Sequence, residues 1–151
     1  MILHIGVTVM NITYNTIKKD LPAEQLHHLF FSAGWAGSEK TCDLDVLENF
    51  NAPFINSTLV ISAWEDERLI GVARVLSDKI IRSVIYDLVV DPEYRGKGIG
   101  KQLVEMCIEH FPNSEWLVQT EAHISEYYEK IGFKVYNDVV LTIPSIYQGR
   151  D

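Results

Sequence analysis

Apolar residues recur along this chain with two periods, and their alternation sketches a fold before any chemistry is considered. Leu26, Leu29, Phe30 and Ala33 stand three and four apart, which puts them on one face of a helix. Pro22 lies near the start of that helix and Gly34 where it should stop. Residues 11–16, just before it, read as a strand. Residues 43–50 predict a short second helix, ended by Pro53. Two β-rich runs, 58–64 and 69–76, flank the charged turn Glu65-Asp66-Glu67-Arg68 and predict a hairpin. A further turn at Ser77-Asp78-Lys79 leads into a strand over 81–90. Helical spacing returns over 98–110, and a strand is predicted over 116–120. Ile124, Tyr127, Tyr128 and Ile131 then fall on one helix face, with Gly132 as a left-handed stop. Residues 133–136 and 139–143 predict a closing hairpin over Asn137-Asp138.

That order is a mixed α/β pattern with an antiparallel first half. At 151 residues the chain is read as one domain with room for a sizeable core. Residues 1–10 are apolar but too short to span a bilayer, and they lack the basic flank and cleavage site of a signal peptide. They read as a first strand or a loose leader. Cys42 and Cys107 form no CxxC and no Cys/His ligand cluster, so neither a disulfide framework nor a metal site is expected. The expected compartment is the cytoplasm. A formal charge of −8 disfavours nucleic-acid and anionic-membrane partners, which demand basic patches, and is compatible with a cationic small molecule.

The chemistry gathers where the strand over 81–90 ends. After Asp91-Pro92 comes a loop with glycines at 96, 98 and 100 and lysines at 97 and 101, and then the amphipathic helix. A helix start leaves backbone N–H groups unpaired and carries partial positive charge. Glycines let that backbone approach a bulky anion, so the corner is suited to phosphate. Spacing narrows the ligand. A Walker A loop needs a glycine at the position of Arg95 and Ser or Thr at that of Gln102. The dinucleotide fingerprint needs a glycine where Lys101 stands and an early βαβ unit.

Arg95-Gly96-Lys97-Gly98-Ile99-Gly100, preceded by Leu88-Val89-Val90-Asp91-Pro92, resembles the R/Q-x-x-G-x-G/A coenzyme A pyrophosphate loop of the GNAT-type N-acetyltransferases. Tyr127-Tyr128-Glu129-Lys130-Ile131-Gly132-Phe133 is similar to that family's F-Y-E-x-x-G-F signature, and the two motifs come in the family's order. The resemblance implies a mixed sheet of six to seven strands flanked by about four helices, with acetyl-CoA as co-substrate and no metal. It implies splayed fourth and fifth strands, with the pantetheine arm in the gap bonded to backbone groups of Leu88 and Val90. A backbone N–H near Val89 or Val90 would polarise the thioester carbonyl. Amides from Arg95 to Gly100 would hold the pyrophosphate. Arg95, Lys97 and Lys101 are candidates for the remaining phosphate charge, or are solvated surface charges. Tyr128 would protonate the departing thiolate, while Tyr127 is taken as core.

The acceptor side is less defined. Asp87 is the only charge between Ser83 and Val90, and it is either a general base or the partner of an arginine such as Arg74 or Arg82. Glu121 stands where the family often carries Asn on the coenzyme, which leaves it an acceptor-side role. Many relatives use a water chain instead of one base. Among the histidines, His27 and His28 are adjacent, so at most one faces inward, and His123 lies beside the expected site. Trp35 with Glu39, Asp43, Asp45 and Glu48 would form either an acceptor wall for a cationic amine or a solvated face. The expected reaction is direct acetyl transfer to the primary amine of a small molecule. A protein or peptide acceptor and a non-catalytic acyl-CoA-binding module are the alternatives, and a homodimer is one option for assembly.

Overall fold

A computed structural model describes residues 10–35 and 48–144, which fall into two compact units divided between Gln119 and Thr120. The first unit holds one sheet of five strands in sequence order: β1 (Ile12–Asn15), β2 (Leu59–Glu65), β3 (Arg68–Ser77), β4 (Arg82–Val90) and β5 (Glu115–Val118). Pairing is antiparallel from β1 to β4, and β5 joins β4 in parallel. Among the described residues, three helices belong to this unit: α1 (Ala23–Ser32), α2 (Ala52–Ile55) and α3 (Ile99–His110).

The sheet is covered on both faces, and the period-2 alternation of its strands dictates which residues serve which cover. Val60, Val72 and Val89 join Leu26, Leu29 and Phe30 of α1 and Phe54 of α2 in one core. Gly71 stands next to Val72 on β3 and so looks the other way. A Cβ built there would stand 3.3 Å from Leu103 Cδ1 and 3.4 Å from Ile99 Cγ2, so α3 lies close against that face. Leu103, Val104 and Cys107 of α3 are fully buried. Each buried side chain of this size contributes roughly 1.5–3 kcal/mol through lost contact with water. Burial also pushes the Cys107 thiol up to about 12, so it stays protonated and inert.

Local signals set most boundaries where the pattern put them. Helix α1 ends as Ala33, Gly34 and Trp35 turn their amides back to the carbonyls of Leu29, Phe31 and Phe30, with Gly34 at φ 83°. The β2–β3 turn passes through Asp66 at φ 52°, and Gln25 of α1 holds it by bonds with Glu67 O and Leu69 N. The β3–β4 turn closes on Asp78, whose Oδ1 accepts from the amides of Ile80, Ile81 and Arg82.

Three expectations change. Pro53 opens a helix instead of ending one: it lies in the first turn of α2, where its missing N–H costs nothing. Of the predicted helix over 43–50, only Glu48 to Phe50 lie among the described residues. Among the described residues the sheet has five strands where six to seven were expected, and no strand forms among residues 133–144. That run alternates as a strand should, yet a lone two-stranded hairpin is marginal in water, and Val135, Tyr136, Val139 and Leu141 are exposed. Among the described residues the second unit holds a 3₁₀ turn, Ala122–Ile124, leading into α4 (Ser125–Glu129). Within it Tyr127 is exposed and Tyr128 is buried, so Tyr127 is not the core residue the helical spacing implied. With only five residues in α4, the longer apolar stripe from Ile124 to Ile131 never shares one helix. No helix among the described residues is long and apolar enough to cross a membrane.

Leu103→Ala should cost about 2–5 kcal/mol of folding stability, because the void opens between α3 and the glycine-floored face of β3 where neither backbone can collapse. Urea unfolding followed by circular dichroism measures it.

Candidate functional site

Strand β4 ends on Asp91, every polar group of which is engaged. Its amide donates to Ile70 O (2.8 Å) and its carbonyl accepts from Tyr94 N (2.8 Å). Oδ1 accepts from Glu93 N (2.9 Å), capping the 3₁₀ turn Pro92–Tyr94, and Oδ2 accepts from Arg68 Nη2 (3.0 Å). Tyr94 is buried against this corner, with the Arg68 guanidinium 5.5 Å and Lys97 Nζ 5.6 Å from its ring centroid.

From that fixed point the chain runs through Arg95 into two left-handed glycines, Gly96 at φ 76° and Gly98 at φ 79°. Gly98 is the residue before α3, and the first bond of the helix is Gln102 N to Gly98 O (3.0 Å). The amides of Ile99, Gly100 and Lys101 precede that bond and so have no intrahelical acceptor. No side chain caps them and no acid stands in the first turn, so the positive end of α3 is uncompensated. A Cβ at Gly96 or Gly98 would meet nothing within 4 Å, so the backbone there borders open space. The chemistry fits a diphosphate: several donors converge on a site that only a bulky acceptor can satisfy together. Arg95 is exposed, Lys97 Nζ also approaches Met10 Sδ (3.5 Å), and Lys101 pairs with Glu105 (3.7 Å).

The neighbouring strand supplies a second set of free groups. Pairing of β4 with β5 ends at Ile85 opposite Val118, whereas β4 continues to Val90. The bond from Asp91 to Ile70 fixes the phase of the antiparallel ladder, in which successive residues point their N–H and C=O to alternate sides. Val89 therefore bonds to β3, while Leu88 and Val90 turn both groups toward the side that β5 has left. A bulge in the β3–β4 pairing, between Arg74 and Val75, leaves Tyr86 without a register partner where β4 parts from β5.

Asp87 stands beside that bulge and is paired across the ladder with Arg74, whose Nε lies 2.5 Å from its Oδ2. The same guanidinium lies over the rings of Tyr86 (5.4 Å) and Phe54 (5.8 Å) and reaches Ser57 Oγ (3.4 Å). Arg82, the other arginine considered for Asp87, pairs with Glu115 instead. Trp35 follows α1 and is exposed, and His27 faces inward while His28 does not. Glu39, Asp43 and Asp45 lie outside the described residues.

In the second unit, Tyr128 packs edge-on against Tyr127 (5.2 Å) and Phe133 (5.6 Å). Its burial, and secondarily Tyr127, push its phenol up to about 12. Glu121 is exposed and lies 3.4 Å from the exposed His123 ring. No group of three or more His, Cys, Asp or Glu among the described residues is arranged to hold a metal ion.

Sequence reasoning missed Arg68 and Tyr94. Asp91-Pro92-Glu93 carries a capping signal that could have marked the corner. Nothing in the sequence ties Arg68 to it, since that contact depends on how β3 and β4 align.

The comparisons with known proteins agree with this geometry. The family model described as the acetyltransferase (GNAT) domain matches residues 22–141. The N-acetyltransferase ycf52 of Pyropia yezoensis is 27% identical over 127 residues, covering 80% of this chain and 69% of that protein. The histone acetyltransferase TAP1 of Glycine max is 36% identical over 73 residues, and the match spans 46% of this chain but only 32% of that protein. Among solved structures, the GNAT-family acetyltransferase SP0256 of Streptococcus pneumoniae superposes with a TM-score of 0.72 at 20% identity, covering 89% of this chain and 98% of that one. A glycine-cornered helix start, a fourth strand with a free edge and a family match across both motifs lead to one conclusion: the chain belongs to the GNAT family and is an acetyl-transferring enzyme.

Proposed function

We propose that this enzyme moves the acetyl group of acetyl-CoA directly to the primary amine of a small molecule, with Tyr128 protonating the departing thiolate. The observation that carries the reading is the conjunction, within one compact unit, of unpaired amides at the start of α3 and the free edge of β4. The first suits a diphosphate. The second suits a chain that alternates donors and acceptors as a strand does, which describes the pantetheine arm.

Acetyl-CoA supplies an activated thioester, and the protein's work is to hold it, polarise it and manage two protons. Amides from Gly96 to Lys101 bind the diphosphate, with Arg95 adding charge from an exposed position. The backbone of Leu88 and Val90 holds the arm, and the thioester carbonyl is polarised by an amide at Val90, since that of Val89, the other candidate, is engaged with β3. Tyr128 is suited to the leaving group because its phenol keeps its proton through the physiological range. Loss of the amine's proton falls to Asp87 after release from Arg74, to Glu121, or to water. Trp35, His123 and the acids at 43 and 45 are assigned to the acceptor side, where negative charge favours a cationic amine. The cytoplasm is the compartment assigned from cysteine usage, and a homodimer is one option for assembly.

A second reading takes a protein or peptide acceptor. It draws on the soybean relative, which is named for histones. A panel of small amines and basic peptides, followed by thiol release from acetyl-CoA, separates the two. Small amines are expected to turn over faster, and a specificity constant higher for the peptides would reverse that order. Coenzyme binding with no turnover on any acceptor would point to a binding module.

Gly98→Val should abolish acetyl-CoA binding by calorimetry while leaving the fold intact, since the β-branched side chain penalises φ 79° and fills the space the diphosphate needs. A folded variant with parental affinity would remove the loop from the coenzyme site.

Tyr128→Phe should lower kcat roughly ten- to a thousandfold and leave acetyl-CoA affinity unchanged. The pH dependence has a definite sign. A phenol raised to about 12 is protonated at every pH below about 11, so Tyr128 adds no alkaline limb between pH 7 and 10. A decline in that range is expected to persist in Tyr128→Phe, and its disappearance would show that Tyr128 ionises there.

A further inference from the structure

We infer that Arg68 is a positioning residue for the diphosphate, acting through the Asp91–Tyr94 corner; the inference rests on the phosphate-loop reading above. Arg68 opens β3 and contributes nothing to the loop from Arg95 to Lys101. Its Nη2 nonetheless lies 3.0 Å from Asp91 Oδ2 and 3.5 Å from Glu93 Oε2, and its guanidinium sits 5.5 Å from the Tyr94 ring centroid. One side chain from the β2–β3 hairpin thus touches three of the four residues immediately before the loop. Tyr94 passes the contact on, because Lys97, which lies between the two left-handed glycines, stands 5.6 Å from the same ring.

Two consequences follow for an anion at the start of α3. First, the loop leaves from a corner that Arg68 holds. The Asp91 side chain is 5% exposed and cannot turn to water if its cation is removed, so the corner must shift. Second, Asp91 and Glu93 are carboxylates just upstream of amides that would meet a diphosphate. Arg68 between them halves the negative charge that pair presents; without it they repel the ligand more strongly. Glu65, across the hairpin from Arg68, adds a third acid, which after burial itself also raises the Tyr94 phenol. An ordinary surface clip would do neither. Arg82 with Glu115, an exposed pair at the other end of β4, is the internal comparison.

Calorimetry with acetyl-CoA on the whole protein, together with amide hydrogen exchange, tests the inference. Arg68→Ala is expected to weaken acetyl-CoA binding by about ten- to a hundredfold, the scale of a misplacement of about 1 Å in a binding group. Arg68→Lys, which keeps the charge and loses the planar fork, should fall between Arg68→Ala and the parent. Arg82→Ala should change the affinity by less than about fivefold. In Arg68→Ala the amides of residues 96–101 should exchange faster, while those of β2 and β3 exchange as in the parent. Parental affinity in Arg68→Ala overturns the inference. So does a loss accompanied by faster exchange throughout the sheet, which marks general loosening. If the parent itself binds no acetyl-CoA, the phosphate-loop reading falls and takes this inference with it; if the parent binds and Arg68→Ala binds equally, only this inference falls.

Discussion

Asp91 is the constraint from which the rest of this site follows. A strand must end, a loop must leave at a set angle, and a helix must begin with its amides aimed at one place. Asp91 settles the first two by spending all four of its hydrogen-bonding functions on protein partners. A buried carboxylate is costly unless it is fully satisfied, and this one is satisfied by a cation and a backbone amide together. Because both of those partners are fixed by the hairpin and the 3₁₀ turn, the departure of the loop is fixed as well. The glycines then have a defined path to follow instead of an ensemble.

Beyond that corner, the groups that remain free belong to the backbone. Both lysines of the loop are engaged, Lys97 with Tyr94 and Met10 and Lys101 with Glu105, while Arg95 is exposed. Amide dipoles cannot be deprotonated and move little, so a site built from them is organised before any ligand arrives. Asp87 presents the opposite case. Its pairing with Arg74, itself laid over two aromatic rings, engages Oδ2, one of the two oxygens a general base could use. A role for Asp87 in proton removal therefore includes the cost of breaking that pair, a cost that Glu121, exposed beside His123, does not carry.

How much of this was legible in the sequence depended on whether the signal was local. Gly34, Gly98 and Gly132 all take positive φ, and α1, the β2–β3 hairpin and α3 lie within a residue or two of where spacing put them. The phosphate-binding corner was readable because a helix start and its glycines are contiguous in the chain. Pairing partners are not contiguous. Residues 133–144 have the alternation of strands, but alternation states only that a strand is possible. Tyr127 and Tyr128 show the same limit, since helical spacing groups them while their exposures differ. Arg68 was invisible for a related reason: its contacts arise from register between strands far apart in sequence.

The junction of β4 and β5 has a further consequence. At the base, hydroxyls cross the strands in a chain: Ser77 Oγ to Ser83 Oγ at 2.7 Å, and Ser83 Oγ to Ser114 Oγ at 2.8 Å, with Arg82 and Glu115 alongside. Past Ile85 and Val118 the two strands are no longer joined. Strand β5 stops there, while β4 runs on without it to Val90. How much of the β4 edge is bare is therefore decided by the length of its neighbour. One residue more or less in β5 would cover or uncover backbone groups of β4 without changing a single residue of β4 itself.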